Sequence, residues 1–252
     1  MIPKVIHYCY FGRNALPKEA QRCIDSWKRF FPDYEIKEWN ESNFDIHIVP
    51  FVYEAYKLKK WAFVSDYARF WILYHYGGLY FDTDVEVIKD MTPILEEGPF
   101  MGCEKDWDIP GMRIAAGLGL GALPSMNVYK ELLGIYNRLH IIQKTGTISL
   151  PTVVDIVTDY FMSRGIKQCR EKVTVDGITI YPDEYFCPKN YGSRELQITD
   201  NTYSIHHYEA SWLKPHPLEI LEEPFWKILH QKNHQILWRI RNMVIRYSFP
   251  IF

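Results

Sequence analysis

The stretch WAFVSDYARFWILYHYGGLYFDTDVEV (61–87) constrains the fold of this chain more than any other. Its first sixteen residues are apolar almost all round, the pattern of a helix buried on every side. Gly77 and Gly78 then offer a helix C-cap, and LYFDTDVEV reads as a core strand that ends in two aspartates. A helix, a glycine break and a strand in so short a run fold back on themselves. The charges on the helix and on the strand are therefore expected to face one pocket. Those charges are Asp66 and Arg69, three apart on one helix face, and Asp82 and Asp84.

In an extended strand, residues i and i+2 face the same side. Asp82 and Asp84 are thus expected to project together, with Phe81, Thr83 and Val85 opposite. Two ionised carboxylates so placed repel each other, and a divalent cation removes the conflict. Hard oxygen ligands suit Mg²⁺ or Mn²⁺. A bare DxD is more often a solvated pair, and Asp66 with Arg69 alone reads as a mutual ion pair. The four charges in one folded-back unit make a site the more economical account.

The rest of the chain reads as α/β. KVIHYCYFG (4–12) has the pattern of a buried strand, LPKEAQRCIDSWKRFFPDY (16–34) of a helix, and YEIKEWN (34–40) of a strand. This β-α-β opening is a usual start for a nucleotide-handling sheet. Residues 51 to 76 are helical by pattern. Residues 98 to 124 are rich in Gly and small residues and are expected to form a loop and short strands around a ligand. Helices are expected over 125–142 and 152–165, and late strands in GITIYPDEYFCP and TYSIHHYEASWLKP.

Composition bounds the function. The net charge of −2 argues against a nucleic-acid binder. Five cysteines with no CxxC pair indicate neither a disulfide framework nor a zinc cluster. The N-terminus lacks the charged and apolar regions of a signal peptide. No stretch approaches the roughly 20 apolar residues that span a bilayer. A reduced, cytoplasmic setting is expected. From Phe225 to Phe252 there are five Lys or Arg residues and no Asp or Glu, among many aromatic and aliphatic residues. Such a segment suits either a helix on an anionic membrane surface or a helix packed on the domain. The expected division is a catalytic domain over 1–222 and a basic, aromatic helical tail over 223–252, which would hold the protein on the inner face of the plasma membrane.

The segment SDYARFWILYHYGGLYFDTDV resembles the DxD-containing sugar-binding region of glycosyltransferase family 32. That group includes bacterial capsular and lipopolysaccharide sugar transferases and fungal initiating mannosyltransferases; the glucosyltransferase domains of clostridial toxins are more distant. IPKVIHYCYFG, SWKRFFPDYEIKEWNE and SIHHYEASW match the same family, so the resemblance covers roughly residues 2 to 215. It implies a GT-A fold, Rossmann-like with a mixed central sheet, that uses a nucleotide-sugar with Mn²⁺ or Mg²⁺.

By the same resemblance, Tyr10 falls where relatives usually stack a Trp on the nucleobase. Asp66 and Arg69 match residues that hydrogen-bond the donor sugar. Asp82 matches the first acid, near ribose, sugar and metal, and Asp84 the second, which coordinates the metal. One of His206 and His207 supplies the remaining ligand. Their side chains point to opposite strand faces, and His207 shares its face with Ile205 and Tyr203, which favours His206. Ser211, Trp212 and Lys214 would meet the metal or the diphosphate. Ala115, Ala116 and Gly117 stand where many relatives carry an asparagine near the donor sugar.

The resulting expectation is a retaining, metal-dependent transfer of a hexosyl group. The donor would be a UDP-hexose, with GDP-mannose second. The acceptor would be a hydroxyl of a surface glycan, such as capsular polysaccharide or lipopolysaccharide, or of a lipid-linked oligosaccharide. Two other classes fit parts of the sequence. YFDTDV also suits a haloacid-dehalogenase-type phosphatase with Asp82 as nucleophile, although that motif normally sits on the first strand. A non-catalytic subunit that binds a nucleotide-sugar is the other.

Overall fold

The computed structural model describes residues 1–104, 112–141, 151–190 and 195–208. The tail expected over 223–252, and Ser211, Trp212 and Lys214, lie outside the described residues. The chain opens with β1 (Val5–Cys9), α1 (Lys18–Phe30) and β2 (Glu35–Trp39), and the two strands pair in parallel. Ala20, Cys23, Ile24 and Trp27 are the buried residues of α1. Their spacing marks the one stripe it lays on the sheet.

Two helices follow, α2 (Pro50–Lys57) and α3 (Trp61–Tyr76). Gly77 caps α3 with a φ of 64°, and Gly78 follows at 94°. A Cβ on Gly78 would lie 2.7 Å from the Val5 carbonyl oxygen. This left-handed close approach lets β3 (Gly78–Tyr80) turn back at once beside β1, in parallel, with Ile6 level with Leu79 and His7 level with Tyr80.

The main sheet is completed by β5 (Phe100–Cys103), β6 (Ile114–Ala115), β7 (Leu120–Ala122), β8 (Val173–Val175) and β9 (Ile178–Tyr181). Its strand order is β2-β1-β3-β7-β5-β9-β8, with β6 paired to β5. β7 is antiparallel to β3 and β5, whereas β9 is parallel to β5. This is an α/β fold with a mixed central sheet, the class expected from sequence. A separate small sheet pairs β4 (Val85–Val87) with β10 (Ser204–His206), antiparallel.

Side-chain alternation divides the core. Ile6, Tyr8, Leu79 and Phe100 join Trp27 of α1 on one face, and Cys9, Tyr80 and Met101 join Phe70 and Leu73 of α3 on the other. That second face also receives α5 (Asn127–Tyr136) and α6 (Val153–Ser163), the latter started by a Thr152–Asp155 capping box. Two short helices, α4 (Thr92–Glu96) and α7 (Asp183–Phe186), complete the described elements. Among the described residues, no helix is long and apolar enough to cross a membrane.

Two expectations need correction. Asp82 and Asp84 are not on a continuous strand: β3 stops at Tyr80, and the Val85 amide donates to the Asp82 carbonyl at 3.0 Å, closing a turn. The helix expected over 125–142 ends at Tyr136.

Candidate functional site

β2 lies on one side of β1 and β3 on the other, so the connections leave β1 in opposite directions. In open α/β sheets, the crevice at such a reversal, beyond the carboxyl ends of the strands, is where ligands bind. Tyr10 follows β1 at that end, and Asp82 follows β3. The sequence thereby delivers an aromatic ring and an acid to the rim of one crevice.

Asp82 is held by two neighbouring side chains. Arg69 Nη2 lies 3.3 Å from its Oδ1, and Nη1 donates to its Oδ2 at 3.5 Å. The Tyr80 hydroxyl donates to Oδ1 at 3.0 Å. The Asp82 amide donates to the carbonyl of Gly117 at 3.2 Å, which ties the turn to the loop before β7. Arg69 also reaches Asp66, at 2.9 Å, and lies 5.0 Å from the centre of the Tyr80 ring. One guanidinium therefore bridges an acid on its own helix to the first acid of the DxD. Asp66 and Arg69 form the mutual ion pair, and Arg69 also reaches Asp82, because it has donors enough for two carboxylates.

Burial sets the electrostatics. The Arg69 side chain is 4% exposed and that of Asp66 9%, whereas Asp82 keeps 28%. Burial pushes the Asp66 carboxyl up to about 7 against the opposing pull of Arg69. Asp82 is also raised, by burial first, with Arg69 opposing. Burial disfavours charge on Arg69, but the two aspartates outweigh that and hold it firmly cationic.

β10 brings the third member. His206 Nε2 lies 3.1 Å from Asp84 Oδ1. Burial alone would lower the imidazole pKa, yet Asp84 reverses the sign and raises it. His207 is held elsewhere: its amide donates to the Asp84 carbonyl at 2.9 Å, and its Nε2 meets Glu86 Oε2 at 2.7 Å. The strand alternation thus sends the two histidines to different carboxylates. One ligand atom each from Asp82, Asp84 and His206 lies within 4.8 Å of the others.

This donor set fits a hard or borderline divalent cation. Two carboxylates and an imidazole suit Mn²⁺ or Mg²⁺ better than thiophilic metals. Among the described residues, the buried His206 Nδ1 has no hydrogen-bond partner, and the ring makes its polar contact on the acidic side, with Asp84. Asp84 and His206 could hold the ion, with Asp82 contributing.

The expected nucleobase residue lies in a distinct part of the crevice. Tyr10 donates through its hydroxyl to the Ala15 carbonyl at 3.0 Å. With Arg13, Asn14, Glu38, Asn40, Glu41 and Ser42 it lines a cavity of about 360 Å³. Gly117 has a role that sequence reading missed. A Cβ there would fall 2.2 Å from Asp82 Oδ2 and 3.5 Å from Arg69 Nη1. The run AAGLGLG signalled small residues, but not which side chain needed the room. Nor did any sequence pattern single out Tyr80.

Residues 17–101 match the family described as glycosyltransferase sugar-binding region containing DXD motif. Inositol phosphoceramide mannosyltransferase 1 of Schizosaccharomyces pombe is 32% identical over 124 residues, covering 42% of this chain and 37% of that protein. Mannosyl phosphorylinositol ceramide synthase CSH1 of Saccharomyces cerevisiae is 30% identical over 109 residues, covering 40% and 28%. The matched part of this chain therefore spans about a third of the length of these curated relatives. Among solved structures, a glycosyltransferase involved in the glycosylation of the major capsid of PBCV-1 aligns with a TM-score of 0.49 at 14% identity, covering 83% of this chain and 95% of that one. Over residues 17–101, this chain is thus similar to the glycosyltransferase sugar-binding regions that contain a DXD motif.

Proposed function

We propose that this protein is a GT-A glycosyltransferase that moves a hexosyl group from a nucleotide-sugar to an acceptor hydroxyl, with retention of configuration. The observation that carries the reading is the convergence of Asp82, Asp84 and His206 beside the buried Asp66–Arg69 pair. Asp84 and His206, with Asp82, would hold Mn²⁺ or Mg²⁺, which when bound supplies Lewis-acid stabilisation of the departing nucleoside diphosphate.

The chain's own groups do the rest. Arg69 and Asp66 form a buried, paired polar wall, able to orient sugar hydroxyls. Tyr80 and Arg69 hold Asp82 at the edge of the pocket, where its exposed lone pairs can meet ribose or sugar. Tyr10 offers a ring face at the far end of the crevice for the nucleobase. Ser211, Trp212 and Lys214, outside the described residues, are proposed to meet the diphosphate.

The relatives named above carry mannosyl and ceramide in their names. That supports GDP-mannose beside UDP-hexose as a donor, and a lipid-linked hydroxyl beside a surface glycan as the acceptor. A peripheral membrane position through residues 225–252 would suit such an acceptor. The phosphatase alternative would use Asp82 as nucleophile; the match of residues 17–101 to a glycosyltransferase sugar-binding region supports the transferase reading instead.

The test is a thermal-shift panel of UDP-, GDP- and CMP-sugars, with and without Mn²⁺, on wild type and Asp84→Ala. A ligand at a hundredfold excess over Kd adds about 2.7 kcal/mol of stability. Manganese-dependent stabilisation by one nucleotide, lost in Asp84→Ala, supports the reading and identifies the base. Folded wild type that responds to none of them overturns it.

A further inference from the structure

A histidine that ligates a metal ordinarily gives its second ring nitrogen to a carboxylate, a carbonyl or water, and that hydrogen bond fixes its orientation. His206 does not follow this pattern. Its Nδ1 is buried and, among the described residues, has no hydrogen-bond partner. Something else must set the angle at which Nε2 meets Asp84.

The Tyr208 ring is in position to do so. Its centre lies 4.2 Å from that of the His206 ring, at an interplanar angle of 62°. Tyr208 is itself fixed at both ends. Its backbone has a φ of 55°, a left-handed conformation that a bulky side chain adopts only when its surroundings hold it there. Its hydroxyl is 2.8 Å from Cys187 Sγ, and both residues are buried, at 8% and 0% exposure. Backbone contacts on either side steady the same segment: the His207 amide donates to the Asp84 carbonyl at 2.9 Å, and Lys189 Nζ donates to the His207 carbonyl at 2.9 Å. Neither touches the His206 ring.

We propose that Tyr208, anchored through its hydroxyl to Cys187, is a positioning residue that holds the His206 imidazole toward Asp82 and Asp84 by ring contact, in place of the usual hydrogen bond. The inference rests on the reading of Asp82, Asp84 and His206 as a cation site.

The experiment measures Mn²⁺ affinity by electron paramagnetic resonance in the presence of UDP and GDP, on the full chain. Tyr208→Gly suits the left-handed backbone and deletes only the ring. It is expected to weaken Mn²⁺ binding by about 10- to 100-fold, toward the level of His206→Ala. Tyr208→Phe and Cys187→Ala keep the ring and release its anchor. Each is expected to lose affinity about threefold to tenfold, and the double variant no more than either, because they act as one unit. Thermal stability, measured in parallel, separates this from a general loss of packing.

If Tyr208→Gly folds and binds Mn²⁺ like wild type while His206→Ala does not, the positioning role is overturned. If Tyr208→Gly fails to fold, wild-type affinity in both Tyr208→Phe and Cys187→Ala overturns it instead. Equal Mn²⁺ binding by wild type and His206→Ala overturns the cation site itself, and the inference with it.

Discussion

Gly117 lies so close to Asp82 that a Cβ at position 117 would stand 2.2 Å from the Asp82 Oδ2 atom. The carboxylate cannot simply swing aside, because Arg69 and Tyr80 hold it. Gly117→Ala is therefore expected to displace Asp82 from these donors. Hydrogen bonds to charged groups contribute about 1.5–3 kcal/mol each, so donor affinity should fall at least about tenfold while the fold persists. Calorimetric titration with the nucleotide-sugar checks this. Wild-type affinity in a folded variant would show that Asp82 has more freedom than its contacts imply.

Arg69 joins two acids that would otherwise face each other across a largely dry gap. Removing one partner of a buried ion pair costs about 3–5 kcal/mol, because the remaining charge is left uncompensated. Arg69→Ala should lose about that much in urea unfolding at pH 7. Adding Asp66→Asn should cost less than it does in wild type, since without Arg69 burial already holds the Asp66 carboxyl protonated at pH 7; the two changes share a contact and should not add. A strictly additive double variant would mean that Arg69 and Asp66 are not energetically coupled.

Gly134 gives a prediction of the opposite sign. It lies inside α5, and a Cβ built there meets nothing within 4 Å. Glycine in a helix interior costs about 0.5–1 kcal/mol relative to alanine. Gly134→Ala should therefore raise the melting temperature and leave donor affinity untouched. A lowered melting temperature would contradict the open space around this position.

Much of this was legible in the sequence, for identifiable reasons. The all-apolar helix with Asp66 and Arg69, the Gly77–Gly78 break and the β-α-β opening each follow from local periodicity and backbone chemistry. Alternation along the late strand separated His206 from His207, and the structure pairs them with Asp84 and Glu86 respectively. The turn at Asp82 was not legible, because FDTDV alternates just as a strand does. Only the bond from Val85 to the Asp82 carbonyl distinguishes the two. The proximity of Gly117 and the bridge from Arg69 to Asp82 are tertiary contacts between segments far apart in the chain. No local pattern encodes them.

His7 supplies the pH dependence. Trp39 Nε1 donates to its Nδ1 at 3.1 Å, so the ring proton resides on Nε2, which faces the Gly77 carbonyl at 3.1 Å. A second ring proton would point at the Trp39 N–H, and burial, the largest effect, lowers the pKa from 6.5 to about 4. The unfolded chain thus takes up this proton first as the pH falls. The contribution of His7 is complete above pH 6.5 and declines toward pH 4, by about 3 kcal/mol at most. Asp66 works in the opposite sense over the same window, because its folded carboxyl binds a proton already at about 7. The comparison of two proteins therefore carries the prediction, not a single curve. Wild type should lose more stability than His7→Gln between pH 7 and pH 5 in urea unfolding. Equal losses would show that His7 accepts the proton in place, and that the bonds to Trp39 and Gly77 do not fix its tautomer.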